Sequence, residues 1–483
     1  AVDSYLEQAD ADTVARFVAL VKQGSIGLDA LYGNELTALC RPEELLELTG
    51  YARRLAAQHG LTIDSAMITD VPGYTWGLVP ALAQSGVKYL SFGPNWGHRI
   101  GYTREAWGDR PFYWVGPSGK DRVLCWMAGT GYSWFHGAPI SGEDKLLNYL
   151  TELGAADYPY DMVQVRYNIG GDNGPPDANL PDFVKAWNDK YAYPRLVLAT
   201  NSEMFHAFEA QYGDRVPEVR GDFTPYWEDG AASSARETAV NRAAAERLVQ
   251  ANALWTMFDT PDYPAERFRE AWRQVLLYDE HTWGAHNSIS QPESEFALSQ
   301  WRTKQTFALE ADRMSRELLA RAQAPNRGEG ASSVLVANTL SWPRTETVIV
   351  PADWNRPGDR VMRDGKAVPS QRLSDGTLAF LAVDVPAFGT ARFDIEAGDA
   401  QATGNAKADG HLLSNGLLTL EVDPESGAIA HLACEGVSER LVDATDDMGL
   451  NEYLYVAGRK PDDPKRVAAA TVRVKEAGPL VAA

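Results

Sequence analysis

Cysteine is scarce in this chain of 483 residues, with Cys40, Cys125 and Cys434 as the whole supply. They are odd in number, far apart and form no C-x-x-C pair. That pattern excludes a disulfide scaffold and reads as reduced, buried thiols. Long apolar runs are missing too: no stretch approaches the ~18 uninterrupted apolar residues that would span a bilayer. Positive charge is in deficit, with 45 Lys+Arg against 66 Asp+Glu and a net charge of −21. Such a field repels nucleic acid and anionic membrane and suits a neutral or cationic ligand. There is no Gly-rich dinucleotide fingerprint, no H-E-x-x-H and no calcium loop. No signal peptide or transit segment follows Ala1, which together with reduced thiols points to the cytoplasm. Either the start was processed or the sequence begins inside a longer protein. What remains is ordinary for a globular protein: 45% hydrophobic and 23% charged residues, in a length of roughly three domains at ~150 residues each.

The expected fold class is multidomain, with α/β, all-α and all-β parts in that order. Residues 1–212 alternate helix and strand patterns, the mark of parallel βα units, and are expected to form a barrel-like α/β catalytic domain. Residues 42–59 read as one helix, with Pro42 in its first turn and Gly60 just past its end. Strands are expected at 66–69, 87–92, 162–169 and 196–199, and helices at 76–84, 180–188 and from Ser202. Residues 213–323 should hold a three-helix bundle, since Val240, Ala244, Leu248, Ala251 and Trp255 share one helical face. Leu298, Trp301, Ala308, Ala311 and Leu318 share another. After a polar linker, 333–396 reads as a small β-domain. Residues 410–483 read as the start of a C-terminal β-sandwich that stops inside its own domain.

Asp70 closes a short apolar strand, in Thr69-Asp70-Val71-Pro72-Gly73. Asp172 holds the equivalent place in Gly170-Gly171-Asp172-Asn173-Gly174-Pro175-Pro176. In α/β barrels reactive groups gather at that end of the sheet. Two carboxylates there are what glycoside hydrolysis requires, one to attack the anomeric carbon and one to protonate the leaving oxygen. The plainer alternative is that each Asp caps the helix that follows. His281 and His286 stand in a short segment beside Asp279 and Glu280. Imidazole there could ligate zinc or serve as a hydrogen-bonded structural group. Six of the 14 tryptophans fall between Trp76 and Trp134, with Tyr74 just ahead. Such aromatics can stack on sugar faces or simply fill the core. A second polar-aromatic stretch, 221–230, contains Asp222, Phe223, Tyr226, Trp227, Glu228 and Asp229. It is either a ligand loop or an ordinary domain connection.

Taken in order, these segments resemble glycoside hydrolase family 38, the zinc-dependent retaining α-mannosidases. Asp70-Val71-Pro72-Gly73, with Leu78-Val79-Pro80 and Gly86-Val87 after it, is similar to the family's nucleophile strand and next helix. Gly171-Asp172-Asn173-Gly174-Pro175-Pro176 is similar to its acid/base loop. Gly221-Asp222-Phe223-Thr224-Pro225-Tyr226 resembles the loop into its helical domain, and Glu280-His281 stands where its late histidine ligand lies. Residues 333–342 resemble the opening of its β-domains, and His411-Leu412-Leu413-Ser414-Asn415-Gly416 that of its C-terminal sandwich. The resemblance implies Asp70 as nucleophile and zinc ligand, Asp172 as acid/base, and His281 as zinc ligand. Tyr74, Trp76, Asp222 and Tyr226 become candidates for substrate binding. It also implies one Zn2+ whose remaining ligands lie upstream of residue 1, because the family's first-strand His-x-Asp has no counterpart before Asp70. A chain cut at both ends accounts for this. The implied activity is exo-hydrolysis of terminal α-mannosidic bonds in an oligosaccharide or small mannoside, with no nucleic-acid or membrane partner. A hydrolase of another α-mannosyl compound such as mannosylglycerate, or a non-catalytic carbohydrate-binding homologue, stays open.

Overall fold

In a computed structural model of the protein, the described residues are 1–95, 103–129, 143–166, 177–224, 227–258, 262–283, 287–288, 290–324, 332–354, 356–443, 448–457 and 462–483. Two compact units divide the chain. One comprises Ala1–Ala251 with Pro264–Leu319, the other Asn252–Tyr263 with Ala320–Ala483. No described helix is long and apolar enough to cross a membrane.

The first unit is built on a five-stranded sheet of β1 (Ser65–Asp70), β2 (Tyr89–Pro94), β3 (Phe112–Val115), β4 (Arg122–Met127) and β5 (Glu218–Val219). Their order is β1-β2-β4-β3-β5. β1, β2 and β4 are mutually parallel, whereas β3 runs antiparallel to β4. Among the described residues the sheet is therefore mixed, where the sequence reads as purely parallel. The difference lies in the aromatic-rich segment: Phe112-Tyr113-Trp114 and Val123–Met127 form a hairpin. Neighbouring residues of these strands enter different cores. Phe112, Trp114, Val123, Cys125 and Met127 pack on one side with Ile68, Leu90 and Phe92. Tyr89, Tyr113, Leu124 and Trp126 pack on the other with Phe205, Phe208 and Tyr212. A strand buried on both faces is apolar throughout and loses the alternation that announces a strand. Tyr89 and Tyr113 are tied to the same carboxylate, each donating at 2.7 Å to an oxygen of Glu209.

The strand expected at 196–199 is corrected, and so is the described part of the one expected at 162–169, residues 167–169 lying outside the described residues. Residues 162–166 are irregular and are fastened by side chains: Arg166 donates to Ser91 Oγ at 2.5 Å, and Ser91 Oγ donates to Gln164 at 2.9 Å. β2 already has backbone partners on both edges and cannot accept another strand. Residues 196–199 are likewise outside any ladder, because the Asn188 side chain takes both the N–H and the carbonyl of Leu196, each at 2.9 Å. The helix expected over 42–59 is split into Pro42–Glu47 and Gly50–His59. At the break Thr49 Oγ1 donates to Leu46 O at 2.9 Å, a local bond that competes with helix continuation. Gly60 ends the second piece at φ 62, a left-handed cap that favours glycine.

Helices Ala235–Met257, Ala265–Asp279 and Glu295–Gln323 follow. Asn241 reaches Val275 O and Asp279, while Gln305 reaches Glu237, so polar bonds as well as apolar stripes join them. In the second unit the strands are antiparallel. Val350, Val361, Leu378, Phe380, Phe393 and Ile395 form its core. Gly389–Glu396 shows clean in–out alternation, with Ala391, Phe393 and Ile395 buried. The three cysteines are free, but only Cys125 is fully buried, a correction to the expectation for Cys40 and Cys434.

Candidate active site

β1 delivers Asp70 to the C-terminal edge of the sheet, where reactive groups of α/β folds collect. Its backbone sits at φ 77, in the left-handed region that a non-glycine residue seldom occupies. Such a conformation persists only where the surroundings impose it. Here they do: Asn95 N donates to Asp70 O at 2.8 Å, and Asn95 Nδ2 donates to Asp70 Oδ1 at 2.5 Å.

The other carboxylate oxygen faces His281. His281 Nε2 donates to Asp70 Oδ2 at 3.1 Å, and Nδ1 lies 2.5 Å from Glu280 Oε1. Burial pulls the imidazole pKa down, but the bonds to Asp70 and Glu280, and their charges, outweigh it and raise it to about 9. Burial likewise opposes charge on Glu280, yet His281 and Thr282 bring that carboxyl down to about 2. Residues joined through a backbone bridge hold the pair in place. Asn34 O accepts from His281 N at 2.9 Å, and Asn34 Oδ1 accepts from Thr69 N at 2.9 Å. Asn34 therefore ties the residue before Asp70 to His281. Arg166 lies close by, buried, with Nη1 donating to Thr69 Oγ1 at 3.3 Å. Burial lowers its pKa to about 10. The Trp227 ring lies nearly parallel to His281, at an interplanar angle of 14°.

Trp76 and Asp222 are also brought together. Asp222 Oδ2 accepts from Trp76 N at 3.2 Å, Asp222 Oδ1 accepts from Thr224 N at 2.9 Å, and Trp76 Nε1 donates to Val115 O at 2.8 Å. The bonds join 74–76 to 222–224 and engage both Asp222 oxygens with backbone. Tyr74 requires correction: it is fully buried, stacks on Phe92, and its hydroxyl donates to Val71 O at 2.6 Å. No face or polar atom is left for a sugar. Tyr74→Phe should lower stability by about 1 kcal/mol and leave KM for substrate unchanged. Urea denaturation beside steady-state kinetics checks this, and a raised KM with unchanged stability would return Tyr74 to the binding set. Asp172 and Tyr226 lie outside the described residues, as do Trp96, Tyr102, Tyr132, Trp134 and His286.

Asn34, Asn95 and Arg166 also stand here, and the sequence alone does not single them out. Asn95 follows the end of β2 just as Asp70 ends β1, so the strand-end rule that exposes Asp70 could have found it. Asn34 had no such signal, because its importance depends on pairing between 34–36 and 279–281.

The arrangement is a strand-end carboxylate oriented by a histidine. Residues 2–230 match the glycosyl hydrolases family 38 N-terminal domain. That segment, 229 of the 483 residues, places this part of the chain in glycoside hydrolase family 38. An alpha-mannosidase from Enterococcus faecalis V583 is similar in structure, at a TM-score of 0.68 and 14% identity, over 96% of this chain and 59% of that one. A protein in glycosyl hydrolase family 38 from Enterococcus faecalis matches at a TM-score of 0.61 and 14% identity, over 91% of this chain and 53% of that one. At that identity the likeness is one of fold. The chain thus spans between 53% and 59% of the length of these two structures. No curated protein matches it.

Proposed function

We propose that this chain carries the nucleophile and late-histidine part of a zinc-dependent retaining α-mannosidase site. The observation that carries the reading is the 3.1 Å approach of His281 Nε2 to Asp70 Oδ2 at the end of β1. The donor set fits a divalent ion. Asp70 Oδ2 and His281 Nε2 converge, and Glu280 fixes the far nitrogen of His281, the outer-shell support that histidine ligands commonly have. Asp70 and His281 would hold zinc, which supplies Lewis-acid charge beside the sugar hydroxyls.

In the proposed reaction Asp70 attacks the anomeric carbon as the bond to the leaving oxygen breaks, and Asp172 gives that oxygen its proton. Asp172 then takes a proton from water, which displaces Asp70 from the sugar, so the anomeric configuration is kept. Asn95 and His281 fix the orientation of the Asp70 carboxylate by holding one oxygen each, which spares the attack a rotational cost. The two carboxylates of such a pair stand ~5–5.5 Å apart.

The test is NMR analysis of the first-formed product from an aryl α-mannoside in the presence of zinc, with the aryl α-glucoside as comparison. The expected product is α-mannose, with little cleavage of the glucoside. A β-configured first product would overturn the retaining assignment. No cleavage of either glycoside by a protein that also contains the upstream zinc ligands would favour a sugar-binding role.

A further inference from the structure

A second group of metal-ligating side chains lies apart from the Asp70–His281 pair. Cys40, Glu44 and Asp279 each place one ligand atom within 4.8 Å of the others. Glu44 and Asp279 are buried, at 0% and 2% exposure. The group is assembled from the 34–48 segment and the end of the Ala265–Asp279 helix, which are tied by the Leu36 N to Asp279 O bond at 3.1 Å.

Two buried oxygens near this group, Glu35 Oε2 and Asn241 Oδ1, have no hydrogen-bond partner, while the Glu44 and Asp279 carboxyls are hydrogen-bonded to each other. Glu35 and Asn241 are each 1% exposed. Their remaining polar atoms are committed where bonds are seen. Glu44 Oε2 accepts from Arg41 N at 2.7 Å, and Asn241 Nδ2 donates to Asp279 Oδ1 at 3.1 Å. Buried polar atoms left unpaired are costly, and two of them, both electron-pair donors, call for an electron-pair acceptor.

Charge points the same way. Cys40, Glu44, Asp279 and Glu35 can each carry one negative charge. The cations that act on them are Arg242 and Lys304. Lys304 Nζ is itself committed to Leu277 O at 2.7 Å and Glu280 O at 3.1 Å. A divalent cation bound here would offset the charge of the ligands it ionises, where an unpaired buried charge is strongly unfavourable.

We propose that Cys40, Glu44 and Asp279 form a structural site for a divalent transition-metal ion of the zinc class, separate from the glycosidase centre. The thiolate selects for this class over magnesium or calcium, which prefer all-oxygen sites. Asn241 Oδ1 and Glu35 Oε2 complete the oxygen-rich surroundings. By binding both segments the ion would stiffen the base of the 279–281 turn that presents His281.

Cobalt(II) tests the site, because sulfur ligation gives a sulfur-to-cobalt charge-transfer absorption that an Asp–His site cannot produce. The protein, freed of metal with chelator and titrated with Co2+, should show this absorption saturating at one equivalent. It should persist in His281→Ala and Cys434→Ser and vanish in Cys40→Ser. Should Cys40→Ser fail to fold, Glu44→Gln serves instead, with cobalt affinity expected to fall at least about tenfold. Cobalt uptake without the sulfur band, or a band that survives Cys40→Ser or is unweakened by Glu44→Gln, would overturn the proposal. In that event protons shared among the acids satisfy the cluster. Because the readout is sulfur ligation, its failure leaves the mannosidase reading untouched.

Discussion

Asp70→Gly should reduce turnover of an aryl α-mannoside by roughly 10⁴-fold or more while leaving the protein folded. Glycine is the informative replacement because Asp70 sits at φ 77, where alanine would inherit the strain and glycine would not. The variant loses the side-chain bonds to Asn95 and His281 but gains backbone ease at the same position. Removing the carboxylate also opens space beside the anomeric carbon. Azide added to Asp70→Gly should then recover part of the turnover by attacking from the vacated face. Its product should be the β-mannosyl azide, since one displacement inverts the α-linkage. Turnover within about tenfold of the parent would remove Asp70 from the nucleophile role. An α-configured azide product would do the same, because it requires a surviving nucleophile elsewhere.

The strand-end position of Asp70 was legible because its neighbours are local punctuation. A short apolar strand runs straight into Val71-Pro72-Gly73, and the structure places Asp70 at the last position of β1. His281 was harder to read. On its own residues it could equally have been a structural histidine, and only the order of motifs along the whole chain marked it. The support around the pair was not legible at all. Asn34 matters through a backbone bridge between 34–36 and 279–281, and no local pattern announces contacts at that sequence separation. Tyr74 was misread for the opposite reason: an aromatic beside a strand-end carboxylate looks like a sugar platform, yet stacking on Phe92 and a bond to Val71 O place it in the core. The β3–β4 hairpin hid because both its faces are buried, so hydrophobicity carries no period. Residues 162–166 have the β-branched look of a strand, but Arg166 and Gln164 spend their side chains on β2, whose backbone edges were already paired.

In metal-free protein His281 should stay protonated across neutral pH, titrating near 9 rather than at its ordinary 6.5. Two carboxylates bracket the ring, and both favour the imidazolium against the opposing effect of burial. The shift corresponds to about 3 kcal/mol of differential interaction. Because the folded value lies above the unfolded one, this stabilisation is fully present below pH 6.5 and is lost as pH rises through about 9. Asp70→Asn removes one of the two anionic partners while keeping a residue that tolerates the left-handed backbone. It should therefore move the His281 titration downward and flatten that part of the stability profile. Nitrogen-15 NMR of the imidazole reads the first effect and urea denaturation across the pH window reads the second. Zinc provides the decisive comparison. A metal ligand must be neutral imidazole, so zinc binding at neutral pH should expel the proton from His281 and release it to solvent. A His281 resonance that titrates near 6.5 without metal would break the Asp70–His281–Glu280 arrangement. A proton that zinc cannot displace would leave the arrangement standing and remove His281 from the metal site.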